Sequence, residues 1–170
     1  VKVKGGFGIL ILSEHWLSRN FGSEILVRKD SVEKCKRVLA SVIDALAEVF
    51  RGRLILGLFP GRSLPLPGGT VFESEFVGWN RARSDVNQWM LERYGEYHGF
   101  LDVPEVLSIT GGAPTYGRSC YLRARMPYEP MGAEAVAREI VALVASFLGK
   151  SHRALVTDFD NTLWGGEIAE

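Results

Sequence analysis

The sequence has little cysteine and little histidine, with two and three residues respectively in a chain of 170. Cys35 and Cys120 have neither the spacing of a zinc site nor that of a redox pair. A disulfide framework of the kind found in small secreted domains is therefore not indicated. This cysteine usage favours a reducing, intracellular setting, and we expect the protein to be cytoplasmic.

An excess of one charge and a long hydrophobic run are also missing. Twenty basic residues balance twenty acidic ones, so the whole-molecule charge gives no reason to expect a nucleic acid or an anionic membrane as partner. The longest apolar run near the start, residues 7–12, is too short to span a bilayer and lacks a signal-peptide cleavage pattern. We therefore expect neither a nucleic-acid partner nor a membrane partner.

The composition that remains is that of a globular protein, with 46% apolar and 24% charged residues. Apolar runs of strand length occupy residues 7–13, 53–59, 100–103 and 153–157. Apolar residues at helical spacing predict helices over residues 30–50, 72–94 and 131–148, and residues 108–130 have the composition of a long loop. This alternation predicts an α/β fold, a parallel sheet flanked by helices on both faces.

In such a sheet, ligands bind beyond the carboxyl ends of the strands. Ser13, Glu14 and His15 follow the first predicted strand, Asp102 ends the third, and Asp158 follows the fourth. We expect most of these residues to be ordinary polar loop residues. His15 and Asp102 in particular lack a matching acid and base partner in the sequence.

The most informative stretch is "TDFDNTLW", in which Asp158 and Asp160 occupy alternate positions at the end of a strand. Two carboxylates at this spacing suit Mg²⁺, which is commonly shared with a substrate phosphate. One carboxylate can attack phosphorus while the other handles the proton of the leaving group and then of water. The alternative interpretation is a polar strand terminus whose carboxylates cap a turn.

This stretch resembles the first motif of the haloacid dehalogenase (HAD) superfamily, Asp-x-Asp-x-Thr after an apolar strand. The resemblance implies that Asp158 is the nucleophile and a magnesium ligand, and that Asp160 is the general acid/base and a ligand through its carbonyl. It also implies that Thr162, with Asn161 beside it, positions the substrate phosphate. The longer "DFDNTLWGG" is similar to the signature of the FkbH-like branch, from which Phe159 departs mildly in place of leucine.

Members of that branch carry a region similar to the SGNH hydrolase fold ahead of the HAD domain. The resemblance therefore implies an SGNH-like domain over residues 1–150, incomplete at its start, and the truncated beginning of a HAD domain over residues 151–170. Residues 124–132 contain neither the Asp nor the His of active SGNH enzymes, and no Gly-Asp-Ser motif occurs. We expect this first domain to have no serine esterase activity.

The resemblance further implies phosphatase-like chemistry coupled to the loading of a glyceryl unit onto an acyl carrier protein, in polyketide or related biosynthesis. The implied partners are that carrier protein and a phosphorylated small molecule. The remaining HAD motifs would lie beyond Glu170, so we expect the present chain to have no appreciable phosphatase activity alone.

The loop around Cys120 offers further candidates for binding or catalysis. Arg118, Arg123 and Arg125 lie in a segment without acidic residues and could attract a phosphate or a phosphopantetheine arm, or they could be ordinary solvated charges. Cys120, between these arginines, could have a lowered pKa suited to thioester chemistry, although no base is in view. In contrast, Cys35, Trp79 and Trp89 are expected to pack in the core or against a helix.

Two other functions stay open at this point. The folded part could be a carrier-protein or partner-binding module without catalysis of its own. Alternatively, the parent protein could be a HAD phosphatase that acts on a small metabolite.

Overall fold

The computed structural model describes residues 6–22, 26–61, 76–109 and 128–150. Within these ranges the chain forms five strands and five helices. The strands are β1 (Gly8–Leu10), β2 (Leu26–Arg28), β3 (Leu54–Gly57), β4 (Phe76–Gly78) and β5 (Gly99–Leu101). The helices are α1 (Glu14–Phe21), α2 (Lys29–Phe50), α3 (Trp79–Tyr94), α4 (Val103–Ile109) and α5 (Pro130–Phe147).

The main sheet is parallel and has the strand order β1-β3-β5. β3 lies in the middle, with Ile55 paired to Ile9 of β1 on one side and to Gly99 of β5 on the other. All four residues of β3 are buried, as expected for a central parallel strand covered on both faces. The predicted α/β architecture is therefore confirmed for the described residues.

Helices cover both faces of this sheet, and the alternation of side chains along β3 divides the core into two clusters. Leu54 and Leu56 pack with α1, α2 and α3 on one face. Ile55 packs on the opposite face with Val103 and Leu107 of α4 and with Val136 of α5. The result is a three-layer arrangement in which the sheet lies between two layers of helices.

The helix boundaries follow ordinary capping rules. Helix α2 ends where Arg51 adopts a left-handed conformation, φ 42°, just before Gly52 at φ 80°. Asp102 precedes α4, and its Oδ1 accepts a hydrogen bond from the Glu105 backbone N–H at 3.1 Å. Pro130 occupies the first turn of α5, where its missing N–H costs nothing.

Three features differ from the sequence-based expectations. The residues after β1 form the short helix α1, which buries Leu17 and Phe21. Strands β2 and β4 pair as a separate antiparallel two-stranded sheet. The predicted helix over residues 72–94 begins only at Trp79, because Phe76–Gly78 forms β4. Propensity alone did not reveal these short segments, whose conformation is determined by packing.

The amphipathic helix predicted over residues 131–148 is present as α5, but three of the side chains predicted on its apolar face are exposed. That predicted face comprises Val136, Ile140, Val141, Val144, Phe147 and Leu148, and Phe147 is 44% exposed. Val136 is buried and Ile140 and Val144 pack against the core. Val141 and Leu148, by contrast, are 68% and 52% exposed. Among the described residues, no helix combines the length and the apolar character needed to cross a bilayer.

Candidate functional site

The carboxyl ends of β1, β3 and β5 lie at one edge of the sheet, because the three strands are parallel and adjacent. The chain leaves β1 through Ser13, β3 through Pro60 and Gly61, and β5 through Asp102. This edge is where α/β folds bind ligands.

At the exit of β1, Ser13 is the N-cap residue of α1. Its backbone carbonyl accepts the Trp16 N–H at 3.0 Å, while its hydroxyl makes no capping hydrogen bond. Glu14 and His15 are half-buried, and both take part in further interactions. The Trp16 ring stacks on Phe59 with centroids 5.8 Å apart, so the exits of β1 and β3 are packed together.

The exit of β3 is held by two side chains of α3. Asn87 accepts a hydrogen bond from the Phe59 backbone N–H through Oδ1 and donates one to the Phe59 carbonyl through Nδ2, both at 2.9 Å. Arg83 Nη1 donates to the same carbonyl at 2.9 Å. Asn87 is 8% exposed, and it is the buried polar side chain among the described residues. Because the Asn87 amide completes both main-chain hydrogen bonds of Phe59, it takes the place of a neighbouring strand at this residue.

Neither Asn87 nor Arg83 was predicted from the sequence to be a site residue. The available signal was an asparagine between Val86 and Met90, two apolar residues that are themselves buried. A polar residue on the apolar face of a helix requires a buried partner. The identity of that partner, 28 residues earlier in the chain, depends on the tertiary fold.

Asp102 has a structural role at the exit of β5, since it caps α4 through the Glu105 N–H. The expectation that it is an ordinary polar residue is therefore confirmed. The described residues contain no group of three or more histidine, cysteine, aspartate and glutamate side chains that could hold a metal ion.

Cys35 is buried in the core, as expected, and burial raises the pKa of its thiol to about 12, with a small opposing influence of Lys36. A thiol with this pKa is almost entirely protonated near neutral pH and is a poor nucleophile. Trp79 is likewise buried and Trp89 packs against the core, which confirms the structural roles expected for them.

Away from this edge of the sheet, a groove of about 360 Å³ lies between the first turns of α2 and α3 beside Val77 of β4. Val32 and Ala82 contribute apolar surface to it, and its other lining residues are Lys29, Glu33, Arg81 and Asp85. Lys36 Nζ bridges Glu33 and Asp85 at 3.0 Å each. Burial lowers the pKa of Lys36, but the hydrogen bonds to Asp85 and Glu33 outweigh it, so the pKa is raised. Both signs of charge line the groove, so its electrostatics favour no particular ligand class.

The site residues predicted from the sequence lie outside the described residues. These are Asp158, Asp160, Asn161 and Thr162 of the aspartate motif and Arg118, Cys120, Arg123 and Arg125 of the long loop. Their roles stay predictions. The described part of the chain supplies the α/β domain that precedes the motif.

Comparison with known proteins gives one informative match. No protein-family model and no curated protein match the sequence. The fold is similar, with a TM-score of 0.73, to a crystal structure described as the N-terminal part of the protein BF1531 from Bacteroides fragilis, containing a phosphatase domain and complexed with Mg. The two sequences are 17% identical, and the alignment covers 95% of this chain and 42% of that one. The similarity establishes the α/β fold, and the present chain spans less than half the length of that structure.

Proposed function

We propose that this chain is part of a Mg²⁺-dependent phosphatase of the HAD type, belonging to its FkbH-like branch. In this proposal, residues 1–150 form an SGNH-like domain without its own catalysis, and residues 151–170 begin the catalytic domain. The observation that carries the proposal is "DFDNTLWGG", Asp158 to Gly166, directly after a domain whose fold is similar to part of a phosphatase-containing protein.

The chemistry assigned to the motif is a two-step transfer. A carboxylate oxygen of Asp158 bonds to phosphorus as the bond from phosphorus to the leaving oxygen breaks, and Asp160 protonates that oxygen. Asp160 then accepts a proton from the water that hydrolyses the aspartyl phosphate. Asn161 and Thr162 position the phosphate. Mg²⁺, held by Asp158 and the Asp160 carbonyl, would neutralise charge on the phosphate, a role that hard oxygen ligands suit.

We further propose that the reaction serves glyceryl transfer to an acyl carrier protein in the cytoplasm. The basis is the resemblance to the FkbH-like branch together with the cysteine usage of the chain. Cys120 is the candidate for a thioester-forming residue, and Arg118, Arg123 and Arg125 are candidates for binding the phosphopantetheine arm. A Cys120→Ala variant of the parent protein that transfers the acyl group at an unchanged rate would eliminate this role of Cys120.

A second candidate function is a partner-binding domain without catalysis over residues 1–150. The observation that favours it is the exit of β3, where α3 uses Asn87 and Arg83 to hold the backbone of Phe59. At this edge of the sheet, where α/β folds bind ligands, the two side chains stabilise the loop instead. A phosphatase that acts on a free metabolite is the third candidate.

A pull-down with carrier proteins separates these functions. Binding of a carrier protein by the parent protein, together with Mg²⁺-dependent acyl transfer, supports the first. Binding without turnover supports the second. Turnover of a free phosphate ester without any carrier binding supports the third.

A further inference from the structure

The outward face of α5 changes character halfway along the helix. In the first half it carries Glu134 and Arg138, which form an ion pair of 2.6 Å and are both exposed. One turn further the same face carries the exposed Val141 and Leu148, with the half-buried Ala145 between them, at the helical spacing that continues from Arg138. We call these three residues the α5 stripe.

The α5 stripe is unusual for a surface helix. Val141 is 68% exposed and Leu148 is 52% exposed. No charged residue occurs anywhere in residues 140–149, whereas the solvent side of a surface helix is normally polar. The core-facing side of the same turns is already used, because Ile140, Leu143 and Val144 pack beneath the sheet. A helix that is apolar all round belongs in a protein interior, so the stripe is suited to being covered by protein.

The end of α5 is formed by a left-handed glycine and two backbone hydrogen bonds. Gly149 has φ +67°, its N–H donates to the Ser146 carbonyl at 2.9 Å, and the Lys150 N–H donates to the Ala145 carbonyl at 2.8 Å. These two bonds and the left-handed glycine form a Schellman motif, which turns the chain back at the helix end. Lys150 is therefore held against the last turn of α5, two residues after Leu148 in the chain.

We propose that the α5 stripe is the docking surface for the polypeptide that follows Lys150, beginning with residues 151–170. This segment contains apolar side chains that can match the stripe, among them Leu155, Val156 and Trp164. The proposal rests on the division of the chain near residue 150 proposed above, but it does not depend on the chemistry of Asp158.

The size of the stripe favours a tethered occupant over a second copy of the chain. A stable dimer typically buries about 800 Å² on each partner, which is far more than three side chains on one helix provide. A segment joined covalently at Lys150 is present at high effective concentration, so a small apolar contact is sufficient to hold it. Docking at this stripe would fix the aspartate motif relative to the domain that precedes it.

Hydrogen exchange in the parent protein tests the proposal. In Val141→Lys, a charge is placed in the stripe, and backbone amides of residues 151–170 should exchange at least about ten-fold faster than in the wild type. Ser146→Lys is the matched control, because Ser146 is exposed on the same turns but lies outside the stripe. It should leave exchange in residues 151–170 unchanged. Leu148→Ser should act in the same direction as Val141→Lys.

Three results would overturn the proposal. The first is equal exchange of residues 151–170 in the Val141→Lys and Ser146→Lys proteins. The second is exchange of this segment at the rate of an unstructured peptide in the wild type. The third is a change from dimer to monomer in Val141→Lys without a change in exchange, which would assign the stripe to a second copy. None of these measurements requires turnover, so their outcome is separate from that of the proposed function.

Discussion

Asn87 of α3 completes both backbone hydrogen bonds of Phe59, accepting from its N–H and donating to its carbonyl at 2.9 Å each. Phe59 lies just beyond β3, the central strand of the sheet, at the point where the strand has lost its neighbours. Arg83 also donates to the Phe59 carbonyl, whereas the partner of the Phe59 N–H is Asn87. The hydrogen bond of the Phe59 N–H therefore depends on one buried amide.

Replacing Asn87 by alanine should destabilise the protein by ~2–3 kcal/mol, because the buried N–H of Phe59 is left without its acceptor. Asn87→Asp should be at least as destabilising near neutral pH, since a carboxylate would then face the Phe59 carbonyl. The free energy of unfolding in urea measures both effects. Gln88→Ala, on the exposed side of the same helix, is the control and should change stability by less than about 0.5 kcal/mol. Equal losses for Asn87→Ala and Gln88→Ala would contradict the assigned role.

Gly99 at the start of β5 is required because Phe147 of α5 packs directly over it. A Cβ at this position would lie 2.7 Å from the Phe147 ring. Gly99→Ala should therefore cost ~1–3 kcal/mol, because the ring must shift from its place beside Phe7. In Phe147→Ala the obstructing ring is absent, so the double variant should be less destabilised than the sum of the two single variants. Strict additivity in urea unfolding would show that the ring and the glycine are not coupled.

Cys35 should resist alkylation in the folded protein, because burial raises the pKa of its thiol to about 12. Near pH 8 almost none of it is thiolate, the form that reacts. Peptide mass spectrometry after iodoacetamide treatment distinguishes Cys35 from Cys120. The Cys35 peptide should stay unmodified in native buffer and be modified fully in concentrated urea. Rapid modification in native buffer would place the thiol at the surface.

His98 should make the stability of the folded protein more sensitive to acid. Burial lowers its pKa below 6.5, against smaller upward influences from the Tyr97 backbone and from Asp44. The unfolded state therefore binds the proton first, so this contribution to stability is present above the unfolded pKa and is lost as the pH falls below it. Between about pH 7.5 and about pH 5.5, wild type should lose more stability than His98→Gln. A parallel loss of melting temperature in both proteins would show that His98 does not contribute.

How much of this fold is predictable from the sequence depends on the length and periodicity of each segment. Two elements are predictable from local sequence alone, and both are present in the structure. They are β3, from its apolar run, and α2, from the helical spacing of Cys35, Leu39 and Ile43. Strands β2 and β4 have three residues each, too few for an alternating pattern to be visible. Helix α1 is also short, with eight residues, and its buried residues are Leu17 and Phe21.

The residues of the candidate site also differ in how far their roles can be predicted from the sequence. A motif such as that of Asp158 and Asp160 is local, so its chemistry can be inferred from adjacent residues. The role of Asn87 cannot, because the amide acts on a backbone group 28 residues earlier and acquires meaning only when α3 packs beside β3. Likewise, the face of α5 on which Val141 lies was predicted to be buried from hydrophobicity alone, and the structure places it on the outside.

The chain of residues 1–170 should show no appreciable Mg²⁺-dependent phosphatase activity. It contains the strand of the proposed nucleophile, while the phosphate-binding residue, the lysine and the further acids that such chemistry requires are expected after Glu170. A phosphate-release assay with a chromogenic ester compares this chain with the parent protein.

In the parent protein, Asp158→Asn should reduce turnover at least about a thousand-fold, because the attacking oxygen is lost. Removal of Mg²⁺ by a chelator should have a comparable effect, and restoring the ion should recover the activity. Asp102→Asn is the control, since Asp102 serves to cap α4. Robust turnover by residues 1–170 would contradict the expectation that further catalytic residues are needed, and full activity of Asp158→Asn would contradict the proposed function, because it would require a nucleophile other than Asp158.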